Sequence, residues 1–378
     1  KSASQALSFG LSLRCGSSRL MGQKGNRIMT DRKKVVVALS GGVDSTLAAR
    51  LLMDAGYEVT AATMKQFDGQ DVSDAEAMAS CLGIPHRVFD VRDAYRNVVL
   101  RYFIDSYAAG RTPNPCMVCD FRIKFGLFYE EARAYFGADY FATGHYSRIL
   151  WDEDRQKYAV HRGLDAAKDQ SYMMYHLTQD QLAHILFPLG RFTKQETRRL
   201  SEEKGLPTWN KAESQDMCFL AAGDSYKDYL LRHAPEIFRP GDITDKKGHV
   251  LGRHQGLPCY TIGQRKGLGI AAKTPLYVTG LDAKRNRVIV GPNEDLFRTR
   301  LLAGELDFTD GTAPGPVFAC EAKIRYGMRA TAAEVTVQDD GRAAVTFREP
   351  QRAVTPGQSV VFYDGDRLIG GGTILRPL

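Results

Sequence analysis

Two groups of residues in this chain have the types and spacing to do chemistry: a glycine loop and a pair of cysteine segments. Ser40-Gly41-Gly42-Val43-Asp44-Ser45, followed by Thr46, lies between a short β-branched run and an apolar-periodic stretch. Glycines let backbone approach an anion closely, and the unpaired amides at a helix start point at it. Ser40, Ser45 and Thr46 add hydroxyl donors, and Asp44 has the chemistry to hold a phosphate-bound Mg²⁺. The loop lacks the Gly-Lys-Ser/Thr of a Walker A motif and the GxGxxG of a dinucleotide site. A phosphate cradle of another kind is expected.

The cysteines follow. Gly110-Arg111-Thr112-Pro113-Asn114-Pro115-Cys116-Met117-Val118-Cys119 precedes Arg122-Ile123-Lys124-Phe125, and a further cysteine stands in Glu213-Ser214-Gln215-Asp216-Met217-Cys218-Phe219. Two prolines two residues apart forbid a helix there and stiffen an exposed loop, and the nearby Arg111, Arg122 and Lys124 favour a thiolate. Blander readings stay open on the residues alone. Cys116-x-x-Cys119 could be half a zinc site, although no second pair completes four ligands, or a thioredoxin-like dithiol. Cys218 could simply pack a core beside Phe219 and Leu220.

The hexapeptide at residues 40–45 resembles the signature of the PP-loop ATP pyrophosphatases, which cleave ATP between the α- and β-phosphates and adenylate a substrate. The cysteine segments resemble the tRNA-specific 2-thiouridylase (MnmA) family within that group. The resemblance continues through Thr143-Gly144-His145-Tyr146, Lys168-Asp169-Gln170-Ser171-Tyr172, Tyr260–Gly269, Ile324-Arg325-Tyr326 and Pro356-Gly357-Gln358. It runs in order from about residue 34 to the C-terminus.

The resemblance implies ATP-dependent 2-thiolation of the wobble uridine of tRNA. In that chemistry the carbon-2 oxygen is adenylated and sulfur arrives from a cysteine persulfide. It makes Cys119 and Cys218 the catalytic pair, with the persulfide on Cys218 and a Cys119–Cys218 disulfide left behind. It assigns ATP, with Mg²⁺, to Ala38, Leu39, Ser40, Gly41, Gly42, Val43, Asp44, Ser45, Met64 and Gly144. It assigns the target base to Asn114, Pro115 and Cys116, and other tRNA contacts to His145, Lys168, Asp169, Gln170, Arg325, Tyr326 and Gln358. The implied partners are the anticodon loop of tRNAs for Lys, Glu and Gln, and a sulfur-carrier protein or other persulfide donor. The chain departs from the family twice: Cys116 stands where Asp is common, and Gln66-Phe67 opens a shortened stretch where many relatives carry a Trp and a longer insert. Another PP-loop tRNA-modifying ligase, or a non-catalytic tRNA-binding protein, is the competing reading; neither would need the cysteine pair.

The elements that must position these residues can be read from periodicity. Lys34–Leu39, Tyr57–Met64, His86–Asp90 and Tyr140–Thr143 read as strands, alternating with helices at Val43–Ala55, Ala75–Leu82, Phe125–Phe136 and Thr193–Lys204. The last opens on the capping box Thr193-Lys194-Gln195-Glu196. Strands alternating with helices predict a parallel sheet with its ligands at the strands' carboxyl ends. After about residue 240, short strands take over: Leu276–Leu281, Arg287–Val290, Phe318–Ile324, Glu334–Gln338, Ala343–Phe347 and Ser359–Tyr363. Asp339-Asp340-Gly341 and Asp364-Gly365-Asp366 mark hairpin turns. The expected fold class is therefore α/β. A PP-loop (adenine nucleotide α-hydrolase-like) parallel-sheet domain, 31–220, is followed by a small, mainly β central domain, 221–294, and a C-terminal β-barrel-like domain, 295–378.

Composition narrows the setting. The 378 residues are 43% hydrophobic and 25% charged, enough apolar material for a sizeable core. No apolar run approaches the length of a membrane span, so no membrane partner is expected. Residues 1–30 carry five basic residues and no acid, leaving 46 basic against 44 acidic residues in the rest of the net +7. Any basic surface must then be local. That tail reads as a flexible or non-native extension before Met29, consistent with a cytoplasmic protein, or as a transit peptide and hence a mitochondrial one. Seven scattered cysteines suggest a reducing compartment. The histidines show no ligand spacing, so no protein metal site is expected beyond Mg²⁺ on the nucleotide. Nothing resembles a coiled coil, and a monomer is expected.

Overall fold

The run Lys34-Val-Val-Val-Ala38 has β-branched residues on both faces, which suits a strand covered on both sides. In the computed structural model of the chain, which describes residues 32–212, 217–221 and 223–378, it is the central strand β1 of a five-stranded sheet. The neighbours are β2 (Glu58–Lys65), β3 (His86–Asp90), β4 (Tyr140–Ala142) and β7 (Ile185–Leu186), in the order β3-β2-β1-β4-β7. All pairings are parallel. The order reverses at β1, which puts a crevice beyond the carboxyl ends of β1 and β4, where such sheets take ligands.

Helices α1 (Val43–Asp54) and α2 (Ser73–Leu82) join β1, β2 and β3. Gly83 closes α2 in the left-handed conformation, as its lack of a Cβ allows. Between β3 and β4 run α3 (Arg92–Tyr95), a π-helical turn at Arg96–Leu100, α4 (Arg101–Ala108) and α5 (Pro115–Val118). A second π-helical stretch, Cys119–Phe128, then leads into α6 (Tyr129–Phe136). The helix expected at Phe125–Phe136 therefore begins ten residues earlier, at Pro115, with its backbone broken from helical geometry at Gly126. The prolines end at the first helical position: Asn114 caps α5 by accepting from the Met117 amide, and Pro115 sits where no amide partner is needed. The expected exposed loop thus stops before the cysteines, which are helical.

A hairpin, β5 (Ser147–Asp152) and β6 (Lys157–Arg162), follows β4. Then come α7 (Gln179–His184), α8 (Lys194–Glu203) and α9 (Tyr226–His233). The Thr193–Glu196 capping box is present. A four-stranded sheet has the order β10-β11-β8-β9, from β8 (Gly241–Thr244), β9 (Val250–His254), β10 (Tyr277–Asp282) and β11 (Arg287–Gly291). The last six strands are β12 (Phe297–Phe308), β13 (Val317–Lys323), β14 (Thr331–Val337), β15 (Ala343–Arg352), β16 (Ser359–Asp364) and β17 (Arg367–Pro377). They pair as β12-β15-β14-β13-β16-β17, and β17 returns to β12, closing a barrel with no free edge.

The barrel is not self-contained. The β5–β6 hairpin joins β17 at Arg367 opposite His161. One buried cluster contains Val36, Phe125, Phe128 and Phe141 together with Tyr172, Tyr175, Val361, Tyr363 and Leu368. Gly371 permits this: a Cβ there would lie 2.9 Å from the Tyr175 ring and 2.8 Å from the Val360 carbonyl oxygen. Among the described residues no helix is long and apolar enough to cross a membrane.

Candidate active site

The glycine loop turns β1 into α1 at the carboxyl edge of the sheet. Gly41 has φ +71°, and a Cβ on it would meet the Asp74 backbone at 2.6 Å. Gly144, at the end of β4, lies so close to the loop that a Cβ would meet the Asp44 carbonyl carbon at 2.8 Å. Gly42 caps α1 without a side-chain bond, which leaves the first amides of a twelve-residue helix facing the crevice. The hydroxyls hold the turn: Ser45 Oγ accepts from the Ser40 amide at 3.1 Å, and Thr46 Oγ1 donates to the Gly42 carbonyl at 2.8 Å.

Asp44 is already paired. Lys194 Nζ donates to both its oxygens at 2.7 and 2.8 Å, and Tyr146 OH donates to Oδ1 at 2.8 Å. Tyr146 OH also lies 3.0 Å from Thr197 Oγ1, so α8 and the loop share one buried network. Lys211 reaches the other side, bonding to Asp74 and, at 3.3 Å, to the Gly41 carbonyl. Two lysines thus flank the loop, and no group of three or more His, Cys, Asp or Glu among the described residues could hold a metal ion. Such a donor set fits a Mg²⁺ carried mainly by phosphate oxygens and water, with Asp44, in the loop itself, as a carboxylate ligand.

Beyond the loop is a cavity of ≈ 260 Å³, lined by Ala38, Leu39, Ser40, Asp44, Ser45, Met64 and Gly144. Seven of the ten positions expected to meet the nucleotide therefore surround one space, with Gly41 and Gly42 in the same loop; Val43 is buried at the start of α1. Gln66, Lys124, His145 and Gln170 line it as well. Lys124 is bonded to Asp120 one turn earlier, and its Nζ lies 3.5 Å from His145 Nε2. Burial works against the Lys124 charge, but Asp120 and the neighbouring thiols outweigh it and raise its pKa. His145 is opposite in kind: burial, then the Lys124 charge, lowers it to about 3, so the ring is neutral near pH 7. Thr143 Oγ1, 2.6 Å from Nδ1, fixes the ring's orientation.

The cysteines gather beside this cavity, next to Gln66 of its lining. Gln66 Nε2 donates to Cys119 Sγ at 3.4 Å, which ties the nucleotide crevice to the thiol. Cys119 is buried in a cluster with Tyr95, against which Phe219 packs. Tyr95 OH lies 3.3 Å from Cys218 Sγ. The two cysteines, far apart in sequence, thus share the Tyr95 neighbourhood, and Cys116, one turn before Cys119, also contributes to the field at the Tyr95 hydroxyl. Burial raises all three thiols: Cys119 the most, with Lys124 pulling back; Cys116 to about 11; and Cys218, where the Tyr95 hydrogen bond opposes the rise. The thiolate expected from nearby cations is therefore not the resting form. Arg122 stacks on Phe121 instead, which leaves Lys124 as the cation whose charge acts on Cys119.

The residues expected at tRNA fall into two sets. Tyr326 is exposed at 44%, and Lys168 is half-buried. The others are engaged inward. Asp169 is buried and accepts from the Gly163 and Ser171 amides at 3.0 Å. Gln170 Oε1 accepts from the Tyr146 amide at 2.9 Å. Arg325 donates to Thr355, to the Ala353 carbonyl at 3.1 Å and to the Ile262 carbonyl at 3.4 Å, which joins the barrel to the segment between β9 and β10. Gln358 Nε2 donates to the Thr112 and Pro113 carbonyls at 3.0 and 3.1 Å, bracing the segment that carries Asn114, Pro115 and Cys116. Sequence reasoning did not place Tyr95, Gln66, Lys194 or Lys211 in the site, because their contacts there are with residues distant in sequence. Lys124 was noted only as a nearby charge. The segment Glu213–Asp216 and the tail at 1–30 lie outside the described residues.

Comparison with known proteins agrees with this layout. Residues 33–222 match the family described as tRNA methyl transferase HUP domain, 227–292 a tRNA methyl transferase PRC-barrel domain, and 298–374 an aminomethyltransferase β-barrel domain. The chain is similar to the tRNA-specific 2-thiouridylase MnmA of Moorella thermoacetica, at 49% identity over 90% of this chain and 98% of that protein. It is similar also to the proteins of that name from Roseiflexus castenholzii, at 46% over 91% and 99%, and Magnetococcus marinus, at 47% over 92% and 100%. Among solved structures, the U34-tRNA thiolase NcsA of Methanococcus maripaludis aligns at 18% identity and TM-score 0.34, over 56% of this chain and 70% of that one.

Proposed function

The chain belongs to the tRNA-specific 2-thiouridylase family, and from that premise we propose how its own residues carry out the reaction. It is a tRNA-uridine 2-sulfurtransferase of the PP-loop kind, with ATP as its activating substrate. The uridine acted on is the wobble base of the anticodon loop, where unstacking a base costs less than in a duplex.

Carbon 2 of uridine carries an oxygen that leaves poorly. In the proposed sequence that oxygen attacks the α-phosphate of ATP, pyrophosphate departs, and AMP becomes the leaving group. The amides at the start of α1 receive the phosphates, while Lys194 and Lys211 offset charge that builds on pyrophosphate. Asp44 would hold a phosphate-borne Mg²⁺, which supplies further charge neutralisation. Lys194 Nζ, bonded to both Asp44 oxygens beside the loop, is within reach of phosphates held there.

Sulfur transfer follows beside the cavity. The terminal sulfur of a persulfide on Cys218 attacks carbon 2, and AMP leaves. Cys119, as thiolate, then attacks Cys218 Sγ, so that the S–S bond breaks and the outer sulfur stays on the base. Lys124 stabilises the Cys119 thiolate and Gln66 orients it; Tyr95 holds Cys218. Asn114, Pro115 and Cys116 border the base, and Tyr326 and Lys168 meet the rest of the tRNA. A persulfide-donating protein loads Cys218, whose exposed position suits such a delivery.

The observation that carries this reading is Gln66. It lines the nucleotide cavity and hydrogen-bonds Cys119, so adenylation of the oxygen and sulfur transfer to carbon 2 can act on the two ends of one C–O bond of one bound base. The test is incubation with unmodified tRNA, ATP, Mg²⁺ and a persulfide donor, followed by nucleoside mass analysis. ATP-dependent 2-thiouridine that disappears in Cys119→Ser and Cys218→Ser is expected. Adenylate on a different acceptor, or activity untouched by both substitutions, would overturn it.

A further inference from the structure

Three cysteines, not two, meet beside the cavity, and the two-thiol reaction leaves Cys116 without a chemical part. Its position is informative. Cys116 and Cys119 stand one helical turn apart, with the Cys119 amide bonded back to the Cys116 carbonyl. Residues so spaced have Cβ atoms about 5–6 Å apart, within a small adjustment of the roughly 3.5–4.5 Å of a disulfide. The two differ in access: Cys116 is exposed, whereas Cys119 is buried at 8% exposure. Cys218 and Cys119 both lie close enough to alter the Cys116 thiol or be altered by it.

We propose that Cys116 is a third redox thiol, which takes the spent disulfide from Cys218 by pairing with Cys119. This rests on the reading above, in which turnover ends with a Cys119–Cys218 disulfide. The Cys116 thiolate attacks Cys119 Sγ, forming a Cys116–Cys119 bond as the Cys119–Cys218 bond breaks. The electron pair leaves on Cys218 Sγ, which takes up a proton, and Cys116 has lost one; nothing is oxidised or reduced overall. Cys218 is then free to accept the next sulfur. An external dithiol attacks the exposed Cys116 sulfur, forms a mixed disulfide, and closes its own disulfide as Cys116 and Cys119 return to thiols.

Two features favour the internal step. A thiol held one turn away acts at an effective concentration that a dissolved thiol does not reach. The exchange also returns Cys218 to the Tyr95 hydroxyl, 3.3 Å away. The Cys116 position borders the target base in the proposed complex, so the thiol is uncovered for reduction only once tRNA leaves. Release of product would then precede recovery of the enzyme.

The experiment needs neither tRNA nor ATP. Fully reduced full-length protein is treated with one equivalent of diamide, equilibrated, alkylated and digested with trypsin. Cleavage after Arg111 and Arg122 puts Cys116 and Cys119 in one peptide, and cleavage after Lys211 and Lys227 puts Cys218 in another. The expected result is peptide 112–122, two mass units light from an internal disulfide, with Cys218 alkylated. In Cys116→Ser the product becomes the 119–218 cross-link. A wild-type protein that holds the 119–218 cross-link as fully as the variant overturns the relay and leaves the thiolation mechanism standing. Absence of any disulfide among the three cysteines in both proteins overturns the relay and the cysteine chemistry together.

Discussion

At the scale of single residues, the site is a set of thiols whose pKa values are raised by their surroundings and modulated by a few neighbours. Tyr95 is the most direct of these, because its hydroxyl touches Cys218 and lowers a pKa that burial raises. Tyr95→Phe should therefore push the Cys218 thiol further up and leave less thiolate at any pH below it. With one hydrogen bond worth about 1 kcal/mol, alkylation of Cys218 at fixed pH should slow roughly fivefold, and thiolation from a limiting persulfide donor with it. An unchanged alkylation profile would show that the contact does not tune the thiol. Cys116 gives a second prediction. Its pKa of about 11 makes thiolate scarce at neutral pH, so thiol exchange through it should accelerate roughly tenfold per pH unit from 7 toward 11. Stopped-flow quenching of the oxidised protein across that range measures the slope, and a flat profile would exclude Cys116 as the attacking group. The motifs made Cys119, Cys218 and the loop at 40–45 legible, since each is a local run of residues. Tyr95 was not legible, nor Gln66 or Lys194: they meet their partners across 123, 53 and 150 residues, and a Tyr, a Gln and a Lys in ordinary helices or loops carry no local mark.

At the scale of elements, close backbone approach does what charge alone does not. Gly144 lets the end of β4 lie against the turn from β1 into α1, and a methyl group there would meet the Asp44 and Ser45 backbone at 2.8 and 2.9 Å. Gly144→Ala should displace the loop and raise the KM for ATP by more than about tenfold, as expected when binding geometry rather than folding is disturbed. Pyrophosphate release measured against ATP concentration checks it, and a KM within twofold of wild type would refute it. Gln358 tests a different relation. Its amide braces the Thr112 and Pro113 carbonyls from the barrel, so Gln358→Ala should loosen the cysteine-bearing segment and lower kcat roughly fivefold, with the KM for tRNA moving less than about twofold. A rise in KM at constant kcat would instead make Gln358 a direct tRNA contact. Some elements followed their periodicity: His86–Asp90 is a strand with the expected bounds, and α8 starts directly after the Thr193 cap, whereas the strands β8, β9, β12 and β17 were not read from the sequence. The β5–β6 hairpin and the π-helical stretch at Cys119–Phe128 were not legible. The hairpin's outer partner is β17, some 200 residues on, and the i-to-i+5 bonding of a π-helical turn is marked by no residue type in the sequence.

At the scale of the whole molecule, the parallel sheet and the barrel behave as one structure because they share a core. Tyr172 and Tyr175 follow the β5–β6 hairpin, yet their hydroxyls bond to the Ser359 carbonyl and to Ser359 Oγ in the barrel, at 2.8 and 3.2 Å. Tyr363 of β16 reaches back to Ser171 Oγ at 3.1 Å and packs in the cluster that contains Val36 of the central strand. These aromatic rings are buried only while both parts are present. Removing residues 295–378 would expose the Tyr172 and Tyr175 faces and leave their hydroxyls without partners, so that piece should aggregate rather than remain a folded ATP-binding unit. The full chain should unfold in a single transition through residues 33–378, which form one compact unit. Tyr363→Ala should lower its stability by about 3–5 kcal/mol, the range for deleting a buried aromatic ring. Because the shared core also sets where Gln358 braces the cysteine segment, the same substitution should depress thiolation at temperatures well below the unfolding midpoint. Calorimetry of wild type and Tyr363→Ala decides the matter. Two separable transitions, with the variant shifting only the one assigned to the barrel, would mean that the barrel folds on its own and that the cysteine segment is positioned without it.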